Sequence, residues 1–423
     1  MLDLLVKNAR LPHCTQCCDI AIHDGHFSEI APQIDALASR SIDAAGFLVS
    51  PPFVDSHFHM DSTLSYGQPR VNESGTLLEG IALWGELKPN LTVESIQERA
   101  ETLCHWAIAR GTLVIRSHVD ISDDRLLAVQ ALLEVRRKYA AWLDLQLVAF
   151  PQDGYLRYAN NRSNLARALA MGVDVIGGIP HFERTMAEGA ASVKALCELA
   201  ADHGLLVDMH CDESDDPWSR HIETLVFETR RLGLEGRVTG SHLTSMHSMD
   251  NYYVSKLLPL MREADIQVVA NPLINITLQG RHDSYPKRRG MTRVKELLRS
   301  GINVSLGHDC VMDPWYSLGS HDMLEVAHMG LHVAQMTGTT EMAAMFDTIT
   351  INGARTLGLK GYGVVAGNPA DLVILQARTV QDALRLRAAR LFVIRRGQVI
   401  SQTDPVMPNL HLGVQEHSID FML

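Results

Sequence analysis

The sequence predicts an α/β protein, a (β/α)8 TIM-like barrel with a small β-sandwich domain formed from both chain ends, and three observations carry that prediction. Between residues 53 and 359, short β-branched runs alternate with longer amphipathic stretches, the pattern of βα units around a parallel sheet. Eight of these runs end in, or just before, polar residues, at the end of the strand where such a barrel assembles its chemistry. The flanks, 1–52 and 360–423, instead carry short strand-like pieces without intervening helices. A length of 423 residues with 46% hydrophobic composition suffices for a large core, and the flanks read as one accessory unit beside one barrel.

Taken in order, residues 4–50 hold strand-like pieces around Asp24-Gly25, a turn signal. The first barrel strand is the apolar run that ends at His57, and the others are expected at 112–117, 143–150, 173–179, 205–210, 237–241, 266–270 and 302–306. The connection 272–290 lacks regular periodicity and carries Lys287, Arg288 and Arg289. A loop of that length is more often functional than accidental, so a substrate lid is expected there. After the barrel, Asp371-Leu-Val-Ile-Leu375 and Leu391-Phe-Val-Ile-Arg-Arg-Gly-Gln-Val-Ile400 supply the C-terminal strands of the side domain.

Composition narrows the function. A formal charge of -11 offers no basic stripe for a phosphate backbone, so nucleic acid is not expected as a partner and a neutral small molecule is. Seven scattered cysteines, at 14, 17, 18, 104, 197, 211 and 310, form no disulfide framework. With no signal-peptide pattern at the N-terminus and no apolar stretch of bilayer length, a cytoplasmic protein without membrane contact is expected. Cys14-Thr-Gln-Cys-Cys18 lacks the second Cys or His pair of a zinc knuckle.

The chemistry starts from Phe53-Val-Asp-Ser-His-Phe-His59. Alternate side chains of a strand share a face, so His57 and His59 point the same way and can hold one metal ion. Further ligand candidates end other predicted strands: His210 after Leu205-Leu-Val-Asp-Met, His242 after Thr239-Gly-Ser, and Asp309 after Gly307-His. Any one of 20 histidines taken alone reads as a satisfied polar residue, but their joint placement at strand ends predicts a metal site.

Phe53-Val-Asp-Ser-His-Phe-His59, His210-Cys-Asp-Glu213, Gly240-Ser-His-Leu-Thr244 and Gly307-His-Asp309 resemble the amidohydrolase superfamily. Phe150-Pro-Gln-Asp-Gly154, Ile179-Pro-His-Phe-Glu183, Ala270-Asn-Pro-Leu-Ile-Asn-Ile276, Leu278-Gln-Gly-Arg281, Tyr285-Pro-Lys-Arg-Arg-Gly290 and Asp313-Pro-Trp-Tyr316 are similar to the bacterial cytosine deaminase family, over nearly the whole chain. The resemblance implies that His57, His59, His210 and Asp309 bind one divalent metal, Fe2+ or Zn2+. Imidazole suits both ions. Val173-Asp-Val-Ile-Gly-Gly-Ile179 has no lysine of the kind that, once carbamylated, bridges two metals in binuclear relatives. The activity implied is hydrolytic deamination of a free pyrimidine base, cytosine or 5-methylcytosine, to uracil or thymine plus ammonia. In that reaction hydroxide generated on the metal attacks C4.

By the same resemblance Glu213 is the proton shuttle, His242 hydrogen-bonds the attacking oxygen, and Asp309 shares that work while ligating. Gln152 would read the N–H and C=O edge of the base, since one amide offers both a donor and an acceptor. Phe150, Leu77 and Trp315 are candidate walls for a flat ring. One departure stands out: the cytosine deaminases carry a second aspartate directly after the metal-binding one, where this chain has Cys310. A cysteine is smaller and uncharged, so the pocket is expected to admit a 5-substituted cytosine while still accepting cytosine. Rival readings are deamination of a related amine-bearing ring such as isoguanine or creatinine, hydrolysis of a cyclic amide, and a non-catalytic barrel. The family resemblance is compatible with a homo-oligomer.

Overall fold

The computed structural model describes residues 1–12 and 14–422. Its centre is one parallel sheet of eight strands in sequential order: Phe53–Phe58, Thr112–Asp120, Asp144–Phe150, Val175–Gly178, Leu206–Cys211, Val238–His242, Gln267–Ala270 and Val304–Leu306. All eight expected strands are there, with ends shifted by one to three residues. The strands are buried on both faces almost throughout, which explains why they read as continuous apolar runs rather than alternating ones.

The barrel closes where its chemistry lies. Phe58 bridges Asp309 in parallel, the His59 amide donates to the Asp309 carbonyl at 2.9 Å, and the Asp309 amide donates to the His57 carbonyl at 2.8 Å. Closure requires a glycine at 307, because a Cβ there would stand 2.6 Å from the His57 carbonyl oxygen and 2.7 Å from the His57 Cβ. First and last strands are therefore locked together by the backbone of three candidate ligands.

The chain ends build a second sheet in the order Gln398–Gln402, Arg390–Arg395, Leu372–Leu375, Leu48–Ser50, Leu2–Arg10, Cys17–His23 and His26–Ala31, with Ala38–Asp43 pairing in parallel to Leu2–Arg10. Leu2–Arg10 is the branch point, and Leu4, Val6, Ile20, Ile22, Phe27, Val49, Leu372 and Ile374 give this unit a core of its own. Asn409–Leu412 and Gln415–Ser418 form a separate exposed hairpin. Cys17 and Cys18 open a strand of the chain-end sheet, and Cys14 is exposed just before it. Among the described residues no helix is long and apolar enough to cross a membrane.

The segment expected to be irregular, 272–290, is helical in its first part. Pro272–Leu278 forms two turns with proline at the first helical position, where its missing N–H costs nothing. Seven residues are too few for a period to stand out in sequence.

Candidate active site

The strand ends bring the candidate residues to one cavity, lined by His59, Leu77, Gln152, Ile179, His210, Glu213, His242, Ile274, Leu278, Asp309, Cys310 and Trp315. Nine of these were expected from the sequence. His57 lies beneath the cavity, fully buried, with its Nε2 3.6 Å from Asp309 Oδ1. His59 Nε2 is 3.5 Å from the same oxygen and 2.9 Å from His210 Nε2. Phe150 is not a wall of the cavity. It is fully buried and stacks on the far side of His210, with ring centroids 4.0 Å apart and planes 17° off parallel, so it holds a ligand candidate rather than a substrate.

The donor set fits a divalent cation. Both ring nitrogens of His57 and the Nδ1 of His210 are buried without a hydrogen-bond partner among the described residues, an arrangement that is costly unless something else fills the site. Burial pushes the His59 imidazole down to about 3 and His57 and His210 well below their ordinary value, leaving them neutral, the form that ligates. Burial and the neighbouring Glu213 carboxylate push Asp309 well up. A pocket that makes imidazoles neutral and carboxylates costly to charge lacks positive charge, which a cation supplies.

His242 is built differently. The Asn275 Oδ1 accepts from the Asn271 amide at 3.1 Å, which turns the Asn275 Nδ2 toward His242 Nδ1 at 3.0 Å, and the Asn271 Nδ2 approaches the same nitrogen at 3.3 Å. The Asn271 Nδ2 also lies 3.5 Å from His242 Nε2, which faces Asp309 Oδ2 at 3.8 Å, while Nδ1 stands 3.4 Å from Glu213 Oε1. His242 is thereby held by two asparagine amides beside two carboxylates, and its ring nitrogens lie close enough to those of His57 and His210 for the three to hold one ion. These two asparagines were quoted in the sequence only as part of a motif, and nothing local in it reveals that they hold His242.

Glu213 separates from its acidic neighbours by what they are occupied with. The Asp212 carboxylate accepts from the Ser219 hydroxyl, the backbone of His221 and Ile222, and the His221 ring. Asp215 binds His247 at 3.1 Å and the Gly280 amide at 2.8 Å. Among the described residues Glu213 keeps only His242 Nδ1 close to its Oε1, at 3.4 Å, and burial pushes its carboxyl up to about 8. A carboxyl poised near neutrality can both take and give a proton. Asp212, His242 and Asp309 all adopt positive φ, of 53°, 71° and 69°, the backbone strain common at active sites.

Gln152 follows the third barrel strand. Its loop is fixed by Lys88, which bridges Asp153 at 2.7 Å and Asp120 at 2.9 Å, while the Gln152 side-chain amide makes no hydrogen bond among the described residues. Leu77 lies on the helix Leu77–Leu87, and its Trp84 indole donates to Asp120 at 2.8 Å. Cys310 is buried, its Sγ 3.6 Å from Asp309 Oδ1, and burial holds the thiol well above its ordinary value and so protonated. Sequence reasoning missed Ile179, Ile274 and Leu278 as walls, and His118, whose ring lies 4.0 Å from that of His57. The basic triplet of the presumed lid is a clip. Lys287 donates to the carbonyls of Gly280 and Asp283, Arg288 to Asp283, the Asp215 carbonyl and Ser248, and Arg289 to the carbonyls of His332 and Val333.

A family description, Amidohydrolase family, matches residues 40–406. The chain belongs to the amidohydrolase family. It is a hydrolase acting on C–N bonds. An N-isopropylammelide isopropyl amidohydrolase of Pseudomonas sp. (strain ADP) is 30% identical over 413 residues, covering 96% of this chain and 98% of that one. A pterin deaminase of Rhizobium rhizogenes is 29% identical over 92% of this chain and 88% of its own length. The 5-methylcytosine deaminase of Klebsiella pneumoniae, solved with 5-fluorocytosine, superposes with a TM-score of 0.93 at 44% identity, covering 95% of this chain and 98% of that chain. The cytosine deaminase resemblance read from the sequence is thus borne out.

Proposed function

We propose that this amidohydrolase is a hydrolytic deaminase of a free pyrimidine base, converting 5-methylcytosine and cytosine to thymine and uracil with release of ammonia. One observation carries the reading: the free amide of Gln152 and the thiol of Cys310 face the same cavity as Glu213 and the buried His and Asp cluster. His57, His59, His210 and Asp309 would hold one divalent ion, Fe2+ or Zn2+. When bound, that ion supplies the Lewis acidity that makes a water nucleophilic near neutral pH.

The chain's own residues account for the rest. Gln152 pairs with the N–H and C=O edge of the base and presents C4, with its exocyclic amine, to the buried cluster. Glu213 takes a first proton from the attacking water and gives it to the ring nitrogen N3, then carries the second proton from the new C4 hydroxyl to the exocyclic amine, so that the C4–N bond breaks and ammonia leaves as the C4 carbonyl forms. Its carboxyl is tuned by burial for two-way transfer. His242 hydrogen-bonds the attacking oxygen. Cys310 stands where the cytosine deaminases carry a second aspartate, so room for a 5-methyl group replaces a charged acceptor. The Klebsiella pneumoniae neighbour, a 5-methylcytosine deaminase, supports this substrate choice.

The test is ammonia release by metal-loaded protein, with kcat/KM compared for the two bases. A value for 5-methylcytosine equal to or above that for cytosine supports the proposal, and a strong cytosine preference removes Cys310 from specificity. Activity on neither base refutes the proposal and moves the search to other amine-bearing rings, isoguanine, creatinine and pterins among them. Carboxylate products without ammonia would point instead to cyclic-amide hydrolysis.

A further inference from the structure

One wall of the cavity rests on a contact that leaves no room for a side chain. Trp315 lines the cavity, and its indole lies directly on Gly80 in the first turn of the helix Leu77–Leu87. A Cβ built on Gly80 would be 2.2 Å from the indole Cδ1, 2.5 Å from Nε1 and 2.8 Å from Cγ, and nothing at those distances can be accommodated without movement. Five residues on, Gly85 of the same helix has nothing within 4 Å of its Cβ position. Glycine inside a helix costs roughly 0.5–1 kcal/mol relative to alanine, and at Gly80 the indole occupies the space that an alanine side chain would take.

The backbone of Trp315 has little freedom to yield, which leaves the ring as the part that can move. Its backbone N–H is fixed at 2.9 Å to Asp313 Oδ1, and that carboxylate also binds the Tyr316 amide and the Ser62 hydroxyl. Behind it the helix is pinned through Trp84, whose indole donates to Asp120 and whose ring lies 6.3 Å from that of Trp315. On its cavity side, Trp315 is 6.3 Å, ring to ring, from His59. A side chain at 80 therefore pushes the indole toward His59 and into the cavity that Cys310 also lines.

We infer that Gly80 is a specificity-determining residue: by lacking a side chain it sets where the Trp315 indole stands, and so how large a ring substituent the cavity admits. The inference rests on the proposed deaminase reading for its substrates, but not for its geometry. The experiment compares wild type, Gly80→Ala, Gly85→Ala and Gly80→Ala with Trp315→Phe, each with its crystal structure and its kcat/KM for 5-methylcytosine and cytosine. Gly80→Ala is expected to show the indole displaced into the cavity and to lose about tenfold more on 5-methylcytosine than on cytosine, the scale of one misfitted methyl. Gly85→Ala should match wild type, and the smaller ring of Trp315→Phe should return the ratio in the double variant. An indole left in place with the helix displaced outward, an equal loss on both bases, or no recovery in the double variant would each overturn the inference. A wild-type protein that releases ammonia from neither base refutes the substrate proposal alone, since the displacement of the indole still decides the role of Gly80.

Discussion

Two polar clusters share the barrel interior, two residues apart along the same strands, and they are finished in opposite ways. In the lower one Arg116 donates to Asp208 at 2.8 Å, Thr239 at 3.3 Å, Gln146 at 2.7 Å and the Thr356 carbonyl at 3.1 Å, and the other Asp208 oxygen accepts from Ser241 at 2.6 Å. In the upper one His57, His118 and His210 keep buried ring nitrogens with no hydrogen-bond partner among the described residues. Both layers are equally dry, so the difference is one of completion. A buried charge that meets its partners in the fold is part of the scaffold, and a buried lone pair left open marks where the fold expects something from outside.

The contrast is sharpest under substitution. Glu213→Gln should lower kcat by about 10²–10⁴-fold, the usual contribution of one acid–base group, with the bound-metal content by elemental analysis unchanged. Asp208→Ala in the lower layer should do the reverse, costing about 3–5 kcal/mol of stability by stranding the Arg116 charge, seen as a lowered denaturation midpoint. If Asp208→Ala were neutral for stability and Glu213→Gln unfolded the protein, the distinction between the layers would collapse.

Cys310→Asp should shift the preference between the two bases toward cytosine by about 10–200-fold in relative kcat/KM. An unchanged ratio would show that the pocket compensates for the lost carboxylate elsewhere.

The smallest effect concerns pH. Glu213 holds its proton in the metal-free fold up to about 8, whereas in the unfolded chain it loses it near the ordinary glutamate value. The native state then binds more protons across that interval, so stability falls as pH rises toward 8. The histidines with lowered values work oppositely, but only below their ordinary value near 6.5, where the unfolded chain takes up protons first. Between pH 7 and 8 the raised carboxyls therefore set the slope, Glu213 together with Asp309. Melting temperatures of chelated protein should decline across that window, Glu213→Gln should lessen the decline, and added Zn2+ should remove it. A decline unchanged by Glu213→Gln would mean that Glu213 is already ionised in the fold.

The sequence by itself determined the barrel and the identity of most groups at its mouth. Continuous apolar runs at βα spacing can bury both faces only in a parallel sheet with helices outside it, and a His-x-His pair on a strand must share a face. These are short-range consequences of backbone geometry, legible one strand at a time. What only the tertiary structure decided are relations between segments far apart in sequence. Phe150 stacks on His210 and stays out of the cavity lining. Asn271 and Asn275 came to hold His242, Asp212 proved to be an anchor while its neighbour Glu213 did not, and Gly80 met Trp315 across 235 positions of chain. A held ring, an unanchored carboxyl and a missing side chain acquire meaning only from what stands opposite, and that is set when the barrel closes.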